Sequence, residues 1–531
     1  MKKIIALILA LALFVTLCGC GEDTSSESSN PQSEKDQTQY KNSMTLLYSM
    51  ADSFNPYEAS TDINRQLCKL LYEPLIKTDN NFKAHYSIAK SVKTVKNVCT
   101  VVIKDVKFSD NTTLTADDVV YSYKLAKKSA TSYASKLYGV ESVAAKDSKT
   151  VVFTLKKNDP YFVNVLDFPI IKAGSEKKKD SDSVKFPPVG AGRYKLNDEN
   201  TTLLQNENYH GQKGSVVTIN LINAPDNESI SHYVEIGATD MYFSDISDGT
   251  IYRMSGTKTD INLNNLVYIG INHKNGKLAL NQLRQALSSG INRQKICKDA
   301  FYNNALAATG FFNPLWEETK SVQNIQITSN SQITVENLKE IGYNVLDKDG
   351  KPKTKLKFSL LVNKENKARV SAANLISAQL KEYGISITVR KVSYKEYKSM
   401  LKKGHFDLYL GEVKITENMD LSELVSSGGS AAFGIKKPKS SKEDTEANKK
   451  DETEETQDTA ESLDCAKIIK GFYKGKNSIN DVAVTLQSDM PIIPVCYRMG
   501  VLFSDENIEK VNIASLSDIY FSIQSYKFKS E

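Results

Sequence analysis

The chain has 531 residues, more than one hydrophobic core usually serves, so its length favours two or more lobes. A composition of 40% hydrophobic and 25% charged residues excludes a disordered or fibrous protein. The net charge of +6 arises from 69 basic and 63 acidic side chains that are interspersed along the chain, which argues against a nucleic-acid partner.

The first twenty residues have the pattern of an export signal. Lys2 and Lys3 form a positively charged start, and an apolar run follows at residues 4–16. The run is shorter than the roughly 20 residues of a membrane-spanning helix, which indicates a signal peptide. It ends in the sequence LCGC, which resembles a bacterial lipobox. The resemblance implies removal of residues 1–19 and lipid attachment at Cys20, with a plain secretory leader as the alternative.

Residues 20–42 form a polar segment rich in Ser, Glu, Asp and Gln. Such a segment has too little apolar surface to offset the entropy of ordering it. We therefore expect a flexible tether between the membrane surface and the folded part of the chain.

Five further cysteines lie at positions 68, 99, 297, 465 and 496. They are odd in number, widely spaced and without a C-x-x-C pair, which favours neither a disulfide framework nor a zinc site. The sequence therefore predicts buried single thiols, and no cofactor is expected.

Strands and helices are mixed in the N-terminal half of the folded region. Residues 44–48 predict a buried strand, and residues 63–72 predict a helix that closes near Pro74. β-Branched runs at 92–95, 99–103 and 150–155 predict antiparallel strands. Between them, Thr115 predicts the N-cap of a helix that continues through residue 125, with Asp117 and Asp118 at the positive end of its dipole.

The C-terminal half predicts an α/β lobe. A strand at residues 266–271 precedes a helix at 282–297, and a β-α-β order follows at 355–362, 368–383 and 385–389, with a further strand at 406–410. Residues 436–464 interrupt this order with Lys, Glu, Asp, Thr and Ser. We expect a solvated, mobile insertion there, with a charged docking element as the alternative.

Six motifs, in order along the chain, resemble those of the family 5 extracellular solute-binding proteins, the oligopeptide, dipeptide and nickel group. Residues 107–122 read KFSDNTTLTADDVVYS, similar to the family's K-F-x-D-G-x-P-L-T-A-x-D-V-x-x-S. The others are LYEPL at 71–75, PVGAGRYKL at 188–196, IGATD at 236–240, RQALSSGINR at 284–293 and PIIPV at 491–495. The motifs lie between residues 71 and 495, and the resemblance covers the chain from about residue 43 to its end.

The resemblance implies a periplasmic-binding-protein-like type II α/β fold with two lobes and a family-specific extra domain. Lobe I would comprise residues 43–75, 183–262 and 492–531, the extra domain residues 76–182, and lobe II residues 263–491. These names are used below for the same ranges. Crossover strands would lie near residues 262–266 and near Pro491, with ligand held in the cleft between lobes that close by hinge bending.

The resemblance also places candidate ligand contacts. They come from the loop after the first strand, from lobe II, and from the segment after the 406–410 strand, and comprise Tyr48, Ser60, Thr61, Asp62, Trp316, Glu412, Lys414, Glu417 and Asp420. Peptide-binding members often carry G-W-x-x-D in the last segment, with the aspartate paired to the peptide's amino group. Here Glu412 stands where the Trp is expected and Ile415 about where the Asp is expected. Glu412, Glu417 or Asp420 could supply the carboxylate instead, and each is equally a candidate surface charge.

The resemblance favours a binding function over catalysis. We expect a monomeric, lipid-anchored substrate-binding protein outside the cytoplasm that delivers peptides, or a similar small solute, to a membrane permease and its ATPase. Enzymatic motifs such as G-x-S-x-G and H-E-x-x-H are absent, and the five histidines are scattered. A nickel-type chelate binder and a peptide-signal receptor remain the alternatives, and clustered metal ligands are not evident in the sequence.

Overall fold

The computed structural model describes residues 42–179, 181, 185–247, 255–322, 325–343, 356–435, 465–509 and 514–528. The predicted leader with Cys20, nearly all of the predicted tether and the insertion at 436–464 lie outside these ranges. Within them, no helix combines the length and the hydropathy of a membrane span.

Strands and helices are mixed throughout the described chain. The strands are β1 Ser43–Tyr48, β2 Ile76–Thr78, β3 Ala84–Tyr86, β4 Ala89–Val95, β5 Val98–Ile103, β6 Val140–Asp147, β7 Thr150–Leu155, β8 Tyr194–Leu196, β9 Thr202–Gln205, β10 Thr218–Asn223, β11 Met241–Ser244, β12 Thr257–Ile271, β13 Ala305–Ala307, β14 Leu356–Asn363, β15 Ile385–Val392, β16 Leu408–Lys414, β17 Ile492–Ser504, β18 Ile508–Glu509 and β19 Lys527–Phe528. The α-helices are α1 Asp62–Leu71, α2 Ala116–Lys128, α3 Tyr133–Lys136, α4 Asn227–Glu235, α5 Asn281–Ser289, α6 Arg293–Phe301, α7 Ser331–Glu340, α8 Lys367–Lys381, α9 Tyr394–Lys403, α10 Ser422–Val425, α11 Cys465–Tyr473 and α12 Ile479–Asp489. The predicted α/β class is confirmed.

Three larger sheets organise the fold. The lobe I sheet has the order β1-β10-β9-β8, with β1 and β10 parallel. The extra domain has an antiparallel sheet in the order β4-β5-β7-β6. The largest sheet runs β11-β17-β12-β16-β14-β15, with β13 paired to β17. Its parallel pair β14 and β15, joined by α8, is the β-α-β unit that the sequence predicted.

Two large hydrophobic cores meet along two long strands. Buried side chains from Leu266 to Tyr497 form the core of lobe II, whereas lobe I and the extra domain share a core that reaches Leu263 and resumes at Leu502. The strand β12 therefore passes from one core to the other close to the crossover expected at 262–266. On β17 the change occurs after Tyr497, several residues later than the crossover expected near Pro491, because the first half of that strand packs inside lobe II.

The β12 crossover is built from asparagines. The strand has a bulge between Asn262 and Asn265, and Asn264 adopts a left-handed conformation with φ of 55°. Asparagine tolerates this region better than most residues. The Asn313 side chain donates to the Oδ1 atoms of Asn262 and Asn264 at 3.0 Å each, and the Asn264 side chain donates to the Ile415 carbonyl at 2.9 Å. Amide hydrogen bonds thus fix the backbone where β12 passes from one core to the other.

The single helix predicted at 282–297 is wrong, because two helices occupy this region. The first, α5, ends at Ser289 with Gly290 as its C-cap, and the second, α6, begins at Arg293. The side chain of Asn292 caps α6 by accepting a hydrogen bond from the Lys295 N–H at 2.9 Å. The local capping of this side chain outweighs the continuous apolar spacing on which the prediction rested.

Helix caps also fix the starts of α2 and of α1, the helix that lines the cavity described below. The Asp118 carboxylate accepts hydrogen bonds from both the N–H and the hydroxyl of Thr115, each at 2.9 Å, which confirms the predicted start of α2. At α1, Thr61 is the N-cap, and its hydroxyl donates to the Asp52 carboxylate at 2.6 Å. Thr61 therefore fixes the start of α1, and one face of that helix lines the neighbouring cavity.

Candidate ligand-binding site

A cavity of about 410 Å³ lies where lobe I, the extra domain and lobe II meet. Lobe I contributes one face of α1 and the segment around Asp518, the extra domain contributes α3 and the region of Asp167, and lobe II contributes the end of β16 and the loop after it. Its aromatic lining includes Tyr72, Tyr133 and Phe243. A site whose walls come from three parts of the chain allows bound ligand to hold those parts together.

The cavity carries charges of both signs in equal number among the described residues. Its acidic residues are Asp62, Asp167, Asp245, Glu417 and Asp518, and its basic residues are Arg65, Lys69, Lys77, Lys136 and Lys414. A charge removed from water needs a partner, so a lining of this kind suits a ligand that itself carries both signs.

An ion-paired triad joins the extra domain to lobe II at one side of the cavity. Lys136 Nζ lies 2.6 Å from Asp167 Oδ2 and 3.1 Å from Glu417 Oε2, and all three side chains are buried. Burial opposes the charge of Lys136, yet the two carboxylates raise its pKa above the ordinary value. The pKa of Glu417 is lowered, since Lys136 and Lys414 outweigh the effect of burial. The pKa of Asp167 is raised by burial.

A second, larger ionic network lies beneath the lobe I wall. Lys77 Nζ contacts Glu73 Oε1 at 2.8 Å and Asp518 Oδ2 at 3.0 Å, and the Arg193 guanidinium pairs with Asp518. Burial would raise the pKa of both acids, but the neighbouring cations lower the pKa of Glu73 and of Asp518 below their usual values. We call these four residues the buried network. Their charges neutralise one another within the protein.

Lys69 and Lys414 differ from the other cavity cations because neither has a carboxylate partner. The Lys69 ammonium donates to the Leu516 carbonyl, and the structure gives Lys414 Nζ no hydrogen bond or ion pair with any described residue. Lys414 is nevertheless open to the cavity. Partial loss of hydration lowers the pKa of Lys414, and it lowers that of Lys69 to about 8, with Lys414 and Lys136 contributing.

The structure brings three of the predicted site residues to this cavity: Asp62, Lys414 and Glu417. Asp62 lies at the mouth and pairs with Arg65 at 2.5 Å. Lys414 ends β16, and Glu417 belongs to the triad.

The other predicted residues of lobe I lie away from the cavity. Tyr48 stacks on Phe54 with ring centroids 5.9 Å apart and lines a separate cavity of about 260 Å³. Ser60 and Thr61 hydrogen-bond to the Asp52 carboxylate at 2.6–3.1 Å and order the loop before α1. These side chains therefore shape the wall without lining it.

The remaining predicted residues of lobe II also have internal partners. Glu412 is held by Arg498 Nε at 2.7 Å and by the Asn265 side chain at 2.8 Å, so it is a partly buried ion-pair member of the sheet. Asp420 pairs with Lys157 Nζ of the extra domain at 2.7 Å. Ile415, at the position where a carboxylate was expected, is buried.

Trp316, the single tryptophan of the chain, is packed at the contact of lobe II with the extra domain. Its ring meets Tyr161 at 5.0 Å and Phe312 at 5.2 Å, and only 3% of the residue is exposed. Trp316 does not line the cavity, but its environment depends on how these two parts are joined.

Sequence reasoning missed several cavity residues, and only some of them left a signal. Asp62, Arg65 and Lys69 follow the spacing i, i+3, i+7, which places them on one face of α1. This spacing could have identified Arg65 and Lys69. Lys136 and Asp167 carry no such pattern, because their role depends on contacts with Glu417 about 250 positions further along the chain.

Metal ligands do not gather in the described part of the chain. No group of three or more His, Cys, Asp or Glu side chains there is arranged to hold a metal ion. The described lining of the cavity contains no histidine.

The profile described as "Bacterial extracellular solute-binding proteins, family 5 Middle" matches residues 83–430 of the chain. The oligopeptide-binding protein AppA of Bacillus subtilis is 26% identical over 433 residues, which cover 76% of this chain and 78% of that protein.

Solved structures show the same fold. The structure of AppA from Bacillus subtilis in complex with a nonapeptide matches with a TM-score of 0.57 at 21% identity, covering 92% of this chain and all of that one. A nickel ABC transporter structure from Bacillus halodurans matches with a TM-score of 0.68 at 18% identity, over the same shares of the two chains.

Proposed function

This chain belongs to family 5 of the bacterial extracellular solute-binding proteins, and we propose that its ligands are short peptides destined for import. It is a solute-binding protein of an ABC transporter and not an enzyme. Its task is to enclose a solute reversibly and present it to the transporter. The open question is which solute the cavity selects.

The observation that carries the peptide proposal is the lining of the cavity with charges of both signs. A free peptide presents an ammonium group, a carboxylate and a row of amide groups, and burying any of these without a partner is costly. The cavity is lined by five acidic and five basic side chains, some of them paired with one another, together with Asn265 and Gln66 as neutral hydrogen-bonding groups. The similarity to an oligopeptide-binding protein supports the same assignment.

Capture would couple binding to closure. The walls belong to lobe I, the extra domain and lobe II, and a ligand that contacts all of them stabilises the arrangement in which they are close. The long strands β12 and β17 pass between the cores and are the places where bending would occur. Each turn of the transport cycle would then need only a shift between two populations, without a covalent step.

The localisation of the protein is also part of the proposal. The LCGC sequence at residues 17–20 supports attachment of lipid to Cys20, which would hold the protein at the outer face of the cell membrane. The predicted tether, residues 20–42, would then connect the lipid anchor to the folded part of the chain. Mass spectrometry of the mature amino terminus, before and after treatment with an inhibitor of lipoprotein maturation, tests this point.

The ligand class is tested with the protein lacking residues 1–20. Mixed-sequence libraries of three to six residues are titrated while the fluorescence of Trp316 and the melting temperature are followed. We expect a shift of several degrees at saturation, because a ligand at one hundred times its Kd adds about 2.7 kcal/mol to the folded state.

A parallel titration with nickel and with nickel–histidine chelates separates the two ligand classes of the family. A response to the chelate and none to any peptide library would contradict the peptide proposal. A response to peptides that nickel does not change would support it.

A further inference from the structure

The charges that line the cavity are not equally available to a ligand. Among its carboxylates, Asp167 and Glu417 are engaged by Lys136, and Asp518 is engaged by Lys77 and Arg193. Asp62 is paired with Arg65 at 2.5 Å. A ligand ammonium that approached any of these acids would compete with an existing cation.

Asp245 is the one remaining acid in the described lining. Its Oδ1 accepts a hydrogen bond from the Ser247 N–H at 2.9 Å, and the residue borders both the main cavity and a neighbouring cavity of about 270 Å³. It therefore lies at the edge of the main cavity. Two cations of the lining remain that form no ion pair with any described carboxylate.

Those cations are Lys69 and Lys414, and they belong to different lobes. Lys69 is on α1 of lobe I and Lys414 is at the end of β16 in lobe II. Lys414 is among the groups that lower the pKa of Lys69, so the two ammonium groups are close enough to repel each other. Carboxylates nearby, Glu417 foremost, offset part of this repulsion without forming an ion pair with Lys414, and an anion between the two lysines would relieve the rest.

An anion at this position would do two things at once. It would supply the missing charge partner of both ammonium groups, and it would link lobe I to lobe II through charge-assisted hydrogen bonds. In a peptide the available anion is a carboxylate. Building on the peptide function proposed above, we infer that the cavity recognises its ligand through a carboxylate held between Lys69 and Lys414.

The test compares three chemical forms of the same tri- to hexapeptide libraries: free, amidated at the carboxyl end, and acetylated at the amino end. Acid-free libraries and libraries that contain glutamate are used in parallel, so that a side-chain carboxylate is distinguished from the terminal one. We expect amidation of acid-free peptides to weaken binding at least about tenfold, since a charge-assisted hydrogen bond is lost. Acetylation should change the affinity less than about threefold.

Two variants locate the recognised group. Lys414→Met and Lys69→Met keep most of the side-chain volume and remove one charge each. Either should weaken the binding of free acid-free peptides about tenfold and should abolish the difference between free and amidated forms. Lys295→Met is the matched control, because Lys295 forms an exposed pair with Asp299 on α6, outside the cavity lining. Thermal unfolding of each variant confirms that it is folded.

The outcomes separate this inference from the function on which it rests. If amidated, acid-free peptides bind within about threefold of free ones, carboxylate recognition is wrong while peptide binding stands. If glutamate-containing amides bind as well as free peptides, the carboxylate between the lysines is a side chain. If no library binds in any form, the peptide function itself fails, and this inference fails with it.

Discussion

Two members of the buried network, Lys77 and Asp518, line the same cavity as Lys69 and Lys414, yet the network and the lysine pair differ in how their charges are balanced. In the buried network, Glu73, Lys77 and Asp518 each have an internal partner within about 3 Å. Lys69 has only a backbone carbonyl, and Lys414 has no partner in the described chain. A closed set of charges holds a fold together, whereas a charge without a partner is available to a ligand. The difference indicates which cavity residues stabilise the protein and which ones bind.

The largest effect is expected when a carboxylate of the buried network is removed. Asp518→Ala would leave Arg193 and Lys77 buried without their shared carboxylate, and we expect a loss of about 3–5 kcal/mol in the free energy of unfolding. Urea denaturation followed by circular dichroism measures it. Asp420→Ala, which removes a carboxylate of a partly exposed pair, is the control. A loss below about 1 kcal/mol for Asp518→Ala would show that the network does not stabilise the fold.

A change of pH should act on the pair and leave the network intact near neutrality. The pKa of Lys69 is about 8, lowered by loss of hydration and by Lys414 and Lys136 against the opposing effect of Asp518 and Asp167. The Lys69 side chain is therefore mostly charged below pH 8 and loses its proton as the pH rises through this value. We expect the affinity for an N-acetylated peptide to fall several-fold between pH 7 and pH 9.

Acetylation is needed in that titration because a free α-amino group has a pKa near 8 as well. Isothermal calorimetry at each pH gives the affinity. The Lys69→Met variant should show a flatter profile over the same interval. An affinity that rises with pH would contradict the assignment of Lys69 to an anion.

Removing Lys414 tests whether an unpaired cation contributes to the stability of the ligand-free protein. Because its ammonium has no acidic partner and is incompletely hydrated, Lys414→Met should change the free energy of unfolding of the ligand-free protein by no more than about 1 kcal/mol, and toward greater stability. Urea denaturation without and with a binding peptide library separates the two states. A large destabilisation of the free protein would mean that Lys414 has a structural role.

The smallest effect is expected at the outer ion pair between the extra domain and lobe II. Lys157 Nζ contacts Asp420 at 2.7 Å, and both side chains are partly exposed. We expect Lys157→Met to cost about 0.5 kcal/mol, since exposed pairs contribute little. The same denaturation assay measures this cost, and a cost above about 2 kcal/mol would show that exposure does not separate the two classes of ion pair.

The fold could be predicted from the sequence because its signals are local. Residues close in sequence determine the alternation in β5 and β7 and the Thr115 cap of α2. The motifs that identified the family are also short and local. The predicted helix at 282–297 failed where one side chain, Asn292, outweighed a longer apolar pattern.

The site could be predicted only in part, because its contacts join residues that are distant in the sequence. Lys414 and Glu417 follow a strand that resembles a family motif, whereas the partners that engage Glu417 come from the extra domain. Whether an acid is available to a ligand depends on such partners. No local pattern shows that Glu412 is neutralised by Arg498 or that Lys414 has no partner.

The asparagine bulge of β12 has a consequence for how the protein responds to its surroundings. Asn262, Asn264 and Asn313 are joined by amide hydrogen bonds, and amides neither gain nor lose protons in water. Changes of pH or salt concentration should therefore alter the affinity for a solute and leave the flexibility of β12 at this bulge unchanged. In surroundings of varying acidity, the affinity for the solute would change while the bending of β12 stayed the same.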